Sequence, residues 1–250
     1  LGKSVCDELA NLNYEVIPLS RKDLDLKDYQ STYHVFSKYL PFAIVHCAAV
    51  VGGIKANIDG GSKYLTDNLA IDTSVFRSAK ELSIKNLVYI GSSCMYPANL
   101  EHALKEHELL TGKLESTNQN YALAKIVGSK IVESVAIEDN FNWRIFIASN
   151  LYGPGDNFDP IKGHLVSSII LKALEAKTKN TYLEMWGDGS PRREFTYVKD
   201  FANWIGKSIN NLKVLPIYLN IGSGHDLSVR EYYELILKLI DYNGEIIADV

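Results

Sequence analysis

The sequence predicts an α/β protein, a doubly wound parallel sheet with a smaller C-terminal substrate-binding portion. Three observations predict it. Helical stretches alternate with short apolar, β-branched runs over the first 150 residues, the order that links parallel strands through crossover helices. One run, Leu87-Val88-Tyr89-Ile90, is followed by Gly91-Ser92-Ser93, as in a buried strand whose carboxyl end opens into a loop. A downstream helix carries Tyr121 and Lys125 four residues apart, and so on one face.

The elements follow in order. The chain opens at Leu1-Gly2 without a methionine and enters a helical pattern with Val5, Leu9 and Leu12 apolar. Strands are expected at 14–19, 43–47, 86–90 and 143–149, with helices at 28–39, 65–82 and 120–137. From about residue 152 the pattern turns irregular, with Gly153-Pro154-Gly155-Asp156 and Gly187-Asp188-Gly189-Ser190-Pro191. Shorter elements are expected there, including helices near 198–210 and 228–239, and the chain stops in a strand-like 246–250. The expected division is a nucleotide-binding domain over 1–150 and a substrate-binding portion over 151–250. A dinucleotide fold of this kind begins with a strand and a glycine-rich turn that brings pyrophosphate to backbone N–H groups. Here Gly2 reads as the last glycine of that turn. The chain therefore reads as a Rossmann-like fragment lacking the first strand and the glycine-rich turn, cropped at both ends.

Composition narrows the function. Of 250 residues, 46% are apolar and 22% charged, and 26 basic against 30 acidic side chains give a net charge of −4. Nothing in that balance points to nucleic acid or a membrane surface as a partner. Cys6, Cys47 and Cys94 are widely spaced and form no zinc-binding pattern, so no metal is expected. A reduced, cytoplasmic setting fits them. The longest uncharged run, 39–54, contains His46, a proline and two glycines, and reads as strand plus loop, not a membrane span.

The chemistry rests first on Tyr121, Lys125 and Ser92. Tyrosine is a weak acid, and a cation one helical turn away favours its phenolate. A neighbouring hydroxyl can hold a carbonyl oxygen, so the set suits proton transfer to a sugar or alcohol oxygen while a hydride moves. Taken alone, Tyr121 and Lys125 are equally an ordinary pair on a solvated helix face. The preceding strand and its Gly-Ser-Ser end supply the catalytic context.

At this point the residues resemble an extended short-chain dehydrogenase/reductase acting on nucleotide sugars. The segments that carry the resemblance are Val51-Gly52-Gly53-Ile54-Lys55-Ala56-Asn57, Gly91-Ser92-Ser93-Cys94-Met95-Tyr96-Pro97, Tyr121-Ala122-Leu123-Ala124-Lys125, Asn150-Leu151-Tyr152-Gly153-Pro154, Asp156-Asn157-Phe158 and Trp186 to Phe195. The Ser-Ser-Cys-x-Tyr-Pro, Val-Gly-Gly-Ile and Arg-Glu-Phe segments narrow the resemblance to the branch that epimerises a GDP-4-keto-6-deoxymannose at C3 and C5 and reduces it at C4 with NADPH. The resemblance implies Cys94 and His164 in the proton transfers, Cys94 as base and His164 as acid. It implies Tyr121 as proton donor to O4, Lys125 as ligand of the nicotinamide ribose and Ser92 as donor to the C4 oxygen. His164 would also border the cofactor. A small buried thiol and a surface loop histidine are the plain readings of Cys94 and His164 taken singly.

NADP(H) is expected as cofactor because Ser20-Arg21-Lys22 follows the 14–19 run. An acidic residue there would suit a ribose hydroxyl, whereas Arg21 suits a 2′-phosphate; a solvated basic turn is the other reading. Asp25 and Leu26 are placed beside the adenine, small Ala48 and Ala49 where the cofactor passes, and Asn68 as a hydrogen-bonding group on the next helix. For a GDP-sugar, the expected ligands are Asn150, Lys172, Trp186 and Arg193. The chain departs from the family pattern after His164, where Leu165-Val166-Ser167-Ser168 replaces a proline and an arginine-bearing helix, and at Gly155, where a histidine is common. A dehydratase would carry an acidic pair where Cys94 and Met95 stand. Another epimerase or reductase of the same family, or a non-catalytic NADPH-binding protein of this fold, are the rival readings. The resemblance also implies a homodimer.

Overall fold

The computed structural model describes residues 1–52, 60–100, 102–159 and 163–249. Gly53 to Asn57 of the Val-Gly-Gly-Ile segment lie outside these. The chain forms two compact units, one of 1–149 with 198–221, the other of 150–197 with 222–250. Residues 198–221, expected within the C-terminal portion, thus pack with the first unit.

The first unit holds a four-stranded parallel sheet. Its strands are β1 (Ala43–His46), β2 (Asn86–Ser92), β3 (Asn142–Ala148) and β7 (Tyr218–Ile221), in the order β1-β2-β3-β7. Side chains alternate across a strand. Trp143, Ile145 and Ile147 of β3 join Leu87 and Tyr89 of β2 in one core with Phe76, Val132 and Val135. The last three come from helices α3 (Gly61–Glu81) and α4 (Gln119–Glu138). Phe146 points the other way, edge-on to Trp204 at 5.0 Å, on α6 (Val198–Ser208). The sheet is covered on both faces, which is why its strands read as apolar runs. Helix α1 (Gly2–Asn11) lies beside α6, and α2 (Tyr29–Tyr39) is capped by Asp28, whose side chain accepts from Gln30 N.

The expected strand at 14–19 carries no ladder. A strand exists through its partner, and no neighbouring edge among the described residues bonds to it; Ile17 and Leu19 remain exposed. The other three expected strands of this unit and its helices form within a few residues of expectation.

The second unit contains β4 (Asn150–Tyr152), α5 (Leu165–Lys179), β5 (Leu183–Trp186), β6 (Arg192–Tyr197), β8 (Asp226–Ser228), α7 (Val229–Leu239) and β9 (Ile246–Asp249). β6 pairs parallel with β4 and antiparallel with β8, while β5 pairs with β9. Its core joins Ile169 and Ala173 of α5, Leu183 and Met185 of β5, and Tyr233 and Ile236 of α7. Ser228 starts α7 with a capping box closed by Glu231. Helix α5 was not expected. Among the described residues, no helix is long and apolar enough to cross a membrane.

Candidate active site

β2 ends at Ser92, and the chain turns at once into a short 3-10 turn, Ser93–Met95. The Ser92 side chain caps that turn, its Oγ accepting from Cys94 N at 3.4 Å. Gly91 permits the approach: a Cβ there would lie 3.2 Å from Met95 Sδ and 3.2 Å from Ile147. In this turn Ser92 hydrogen-bonds the cysteine through both its backbone N–H and its sulfur.

Helix α4 packs on this turn and presents Tyr121 and Lys125. Lys125 is buried, and its Nζ donates to Ile90 O at 2.9 Å while lying 4.3 Å from the centre of the Tyr89 ring. Burial pushes the Cys94 thiol up to about 11, against the pull of the Ser92 hydrogen bond and the Lys125 charge. Burial also raises the Tyr121 phenol well above its ordinary value, with Cys94 and Asp72 adding to the rise. The sequence reading had Lys125 bring that phenol toward neutrality. In the structure the ammonium is directed to Ile90 O and the face of Tyr89, and burial dominates the tyrosine. Ser92, Cys94, Tyr121 and Lys125 nonetheless form one electrostatic neighbourhood in the first unit.

Three residues not singled out in the sequence stand behind it. Asp72, buried on α3, accepts from Tyr89 OH at 2.5 Å, and its Oδ1 lies 2.9 Å from His46 Nε2 at the end of β1. A carboxylate among the apolar positions of 65–82 was the one legible sign.

The residues expected to hold a cofactor lie at the start of this unit. Gly2 opens α1 where an added Cβ would meet Cys47 Cβ at an ordinary 3.8 Å, and Leu1 offers no side-chain cap to the first N–H groups of that helix. Those amides suit a phosphate. Arg21 and Lys22 sit in an exposed turn that Asp23 closes by accepting from Ser20 N and Oγ. Asp25 is exposed and accepts from Lys27 N, but Leu26 packs against the core. Ala48 and Ala49 follow β1, half-buried. Asn68 spends its side chain on backbone: Nδ2 donates to Val50 O and Tyr64 O, and Oδ1 accepts from Val50 N. It fixes the loop after β1, and both hydrogens of its amide are spent on backbone.

The remaining candidates belong to the second unit. His164 is exposed at the N-cap of α5, where its carbonyl accepts from Ser168 N. Lys172 and Trp186 come together, the ammonium 4.6 Å from the indole ring, and Trp186 is 69% exposed. Asn150 pairs with Phe195 in the β4–β6 ladder and its Nδ2 donates to Glu194 O at 3.0 Å, while Arg193 of β6 stands opposite Leu227 of β8. Arg192 pairs with Asp226 and Glu231, whereas Arg193 makes no ion pair among the described residues.

A family model described as the NAD dependent epimerase/dehydratase family matches residues 1–222. The GDP-L-fucose synthase of Azorhizobium caulinodans is 41% identical over 100% of this chain and 80% of its own length. The GDP-L-colitose synthase of Yersinia pseudotuberculosis is 39% identical over 100% of this chain and 82% of its length. Among solved structures, the GDP-mannoheptose C4 reductase MlghC of Campylobacter jejuni, with NADP bound, superposes with a TM-score of 0.90 at 26% identity, covering 99% of this chain and 84% of that one.

Proposed function

Because the chain belongs to the NAD dependent epimerase/dehydratase family, we propose that it converts GDP-4-keto-6-deoxy-D-mannose to GDP-L-fucose with NADPH. The reading is supported most by the gathering of Ser92, Cys94, Tyr121 and Lys125 around the carboxyl end of β2. The similarity to GDP-L-fucose synthases supports the substrate. The open amides of α1 and the exposed Arg21 are donors of the kind a pyridine dinucleotide phosphate needs.

A 4-keto sugar has acidic C–H bonds at C3 and C5, because each carbanion is delocalised onto the ketone oxygen. Cys94 removes these protons and His164 returns protons on the other face, with Ser92 and Tyr121 as donors to the developing oxyanion. Bound NADPH supplies the hydride for C4. Tyr121 then protonates O4, and Lys125 holds the ribose. The GDP moiety is held by Asn150, Lys172, Trp186 and Arg193, with Arg193 as the fork for diphosphate. The enzyme works as a homodimer in the cytoplasm.

The direct test is the loss of NADPH absorbance on mixing the full-length protein with GDP-4-keto-6-deoxy-D-mannose. The expected result is stoichiometric oxidation with GDP-L-fucose as product, and no oxidation above background defeats the reading. The colitose-forming relative is nearly as similar, at 39% against 41%. Colitose lacks a hydroxyl at C3, so C3 needs no inversion. Preference for the corresponding 3-deoxy ketone would move the assignment to GDP-L-colitose.

A further inference from the structure

Lys125 is 3% exposed, and an ammonium withdrawn from water needs compensation nearby. Ile90 O and the Tyr89 ring supply part of it. Behind that ring the Tyr89 hydroxyl donates to Asp72 Oδ2 at 2.5 Å, and His46 Nε2 closes on Asp72 Oδ1 at 2.9 Å. Asp72 is 1% exposed, and both of its oxygens are thereby fixed.

We propose, building on the role given above to Lys125, that Asp72 is a positioning residue: a buried counter-charge, clamped by His46 and Tyr89, that holds the Lys125 ammonium in the site.

Three observations carry this. First, the groups whose charges reach Lys125 are Asp72, Cys94 and Cys47. Burial pushes Cys94 up to about 11 and Cys47 up to about 12, so both are neutral thiols near pH 7. Asp72 is the one carboxylate of the three, and it is the largest influence opposing the fall that burial imposes on the lysine. Second, α4 leaves room for the carboxylate. Gly128 lies three residues after Lys125, and a Cβ there would stand 2.5 Å from Tyr89 OH and 2.7 Å from Asp72 Oδ2. Third, the clamp is walled by aromatic rings. Phe76 meets Tyr89 edge-on at 5.1 Å and His46 edge-on at 5.7 Å, so neither partner can swing away.

The test compares the full-length protein with its isosteric variant Asp72→Asn in two ways. One is the pH profile of NADPH oxidation with the keto sugar. The other is the titration of the Lys125 amine, followed by NMR with labelled lysine and needing no substrate. An opposite charge favours the ammonium, so its removal should lower the Lys125 titration and the alkaline limb of kcat by about one pH unit or more. kcat should fall about tenfold at pH 8, while the KM for the sugar changes less. A folded Asp72→Asn with wild-type titration and an unmoved alkaline limb overturns the proposal. Should that variant not fold, Tyr89→Phe keeps the ring and frees the carboxylate. A lowered Lys125 titration in it supports the proposal, and an unmoved one overturns it. If the wild-type protein leaves this sugar untouched, the substrate reading fails, and the lysine titration alone still decides the role of Asp72.

Discussion

At pH 7 Cys94 carries its proton, since burial sets its acidity at about 11. A base in that state works through its small thiolate fraction. The exchange of C3 and C5 protons with D₂O should therefore climb about tenfold per pH unit from neutrality upward, and flatten only near the thiol's own titration. A flat profile between pH 7 and 9 would count against Cys94 as base. Cys94→Ser should cut that exchange about a hundredfold or more, while reduction of an already epimerised ketone drops less than tenfold. Equal losses in the two assays would assign Cys94 a general structural role. At this scale the sequence was readable where spacing encodes proximity. Tyr121 and Lys125 share a helix face. His46, Asp72 and Tyr89 were not readable, because they stand on three elements and meet only through strand register, His46 opposite Tyr89, and helix packing. The phenol's acidity was misjudged for a related reason: spacing gives the cation, but burial, which dominates, is a property of the assembled core.

On the scale of single elements, Gly128 in α4 sets two effects against each other. Replacing an interior helical glycine with alanine ordinarily gains about 1 kcal/mol. Here the new methyl would enter the space of Tyr89 OH and Asp72 Oδ2 at 2.5 and 2.7 Å, and forced overpacking of a rigid core costs about 1–3 kcal/mol. Gly128→Ala is thus expected to destabilise, lowering Tm by a few degrees in a calorimetric scan. A raised Tm would show that the Asp72 cluster yields easily. Helix α5 is legible in the sequence by its period. Leu165, Val166, Ile169, Ile170, Ala173 and Ala176 repeat at helical spacing, and Ile169, Ala173 and Ala176 are buried as that stripe requires. The glycine- and proline-rich stretch before it drew the whole region toward an irregular reading. The reverse error fell on 14–19, where β-prone composition could not supply a hydrogen-bonding partner.

For the molecule as a whole, the first unit closes only when residues 198–221 return to it. Helix α6 covers Phe146 through Trp204, and β7 pairs with β3 over Ile145–Ala148. Arg144 adds to the join, its guanidinium donating to the carbonyls of Lys213 and Leu215. A chain ended at Ser149 should lack a cooperative melting transition and expose apolar surface to dye, because one face of β3 and its outer edge lose their cover. A sharp two-state melt of that shortened chain would show the first unit to be complete without its return segment.

The two exits from the sheet sit side by side. The chain departs after Ser149 and again after Ile221, and Ser149 N donates to Ile221 O at 3.4 Å. Everything between Asn150 and Tyr197, and everything from Gly222 onward, hangs from this pair of adjoining strand ends. Such an arrangement lets the segments of the second unit vary in evolution from neighbouring strand ends, with the sheet of the first unit left unedited. A lineage could then vary those segments without re-solving the folding problem of the sheet.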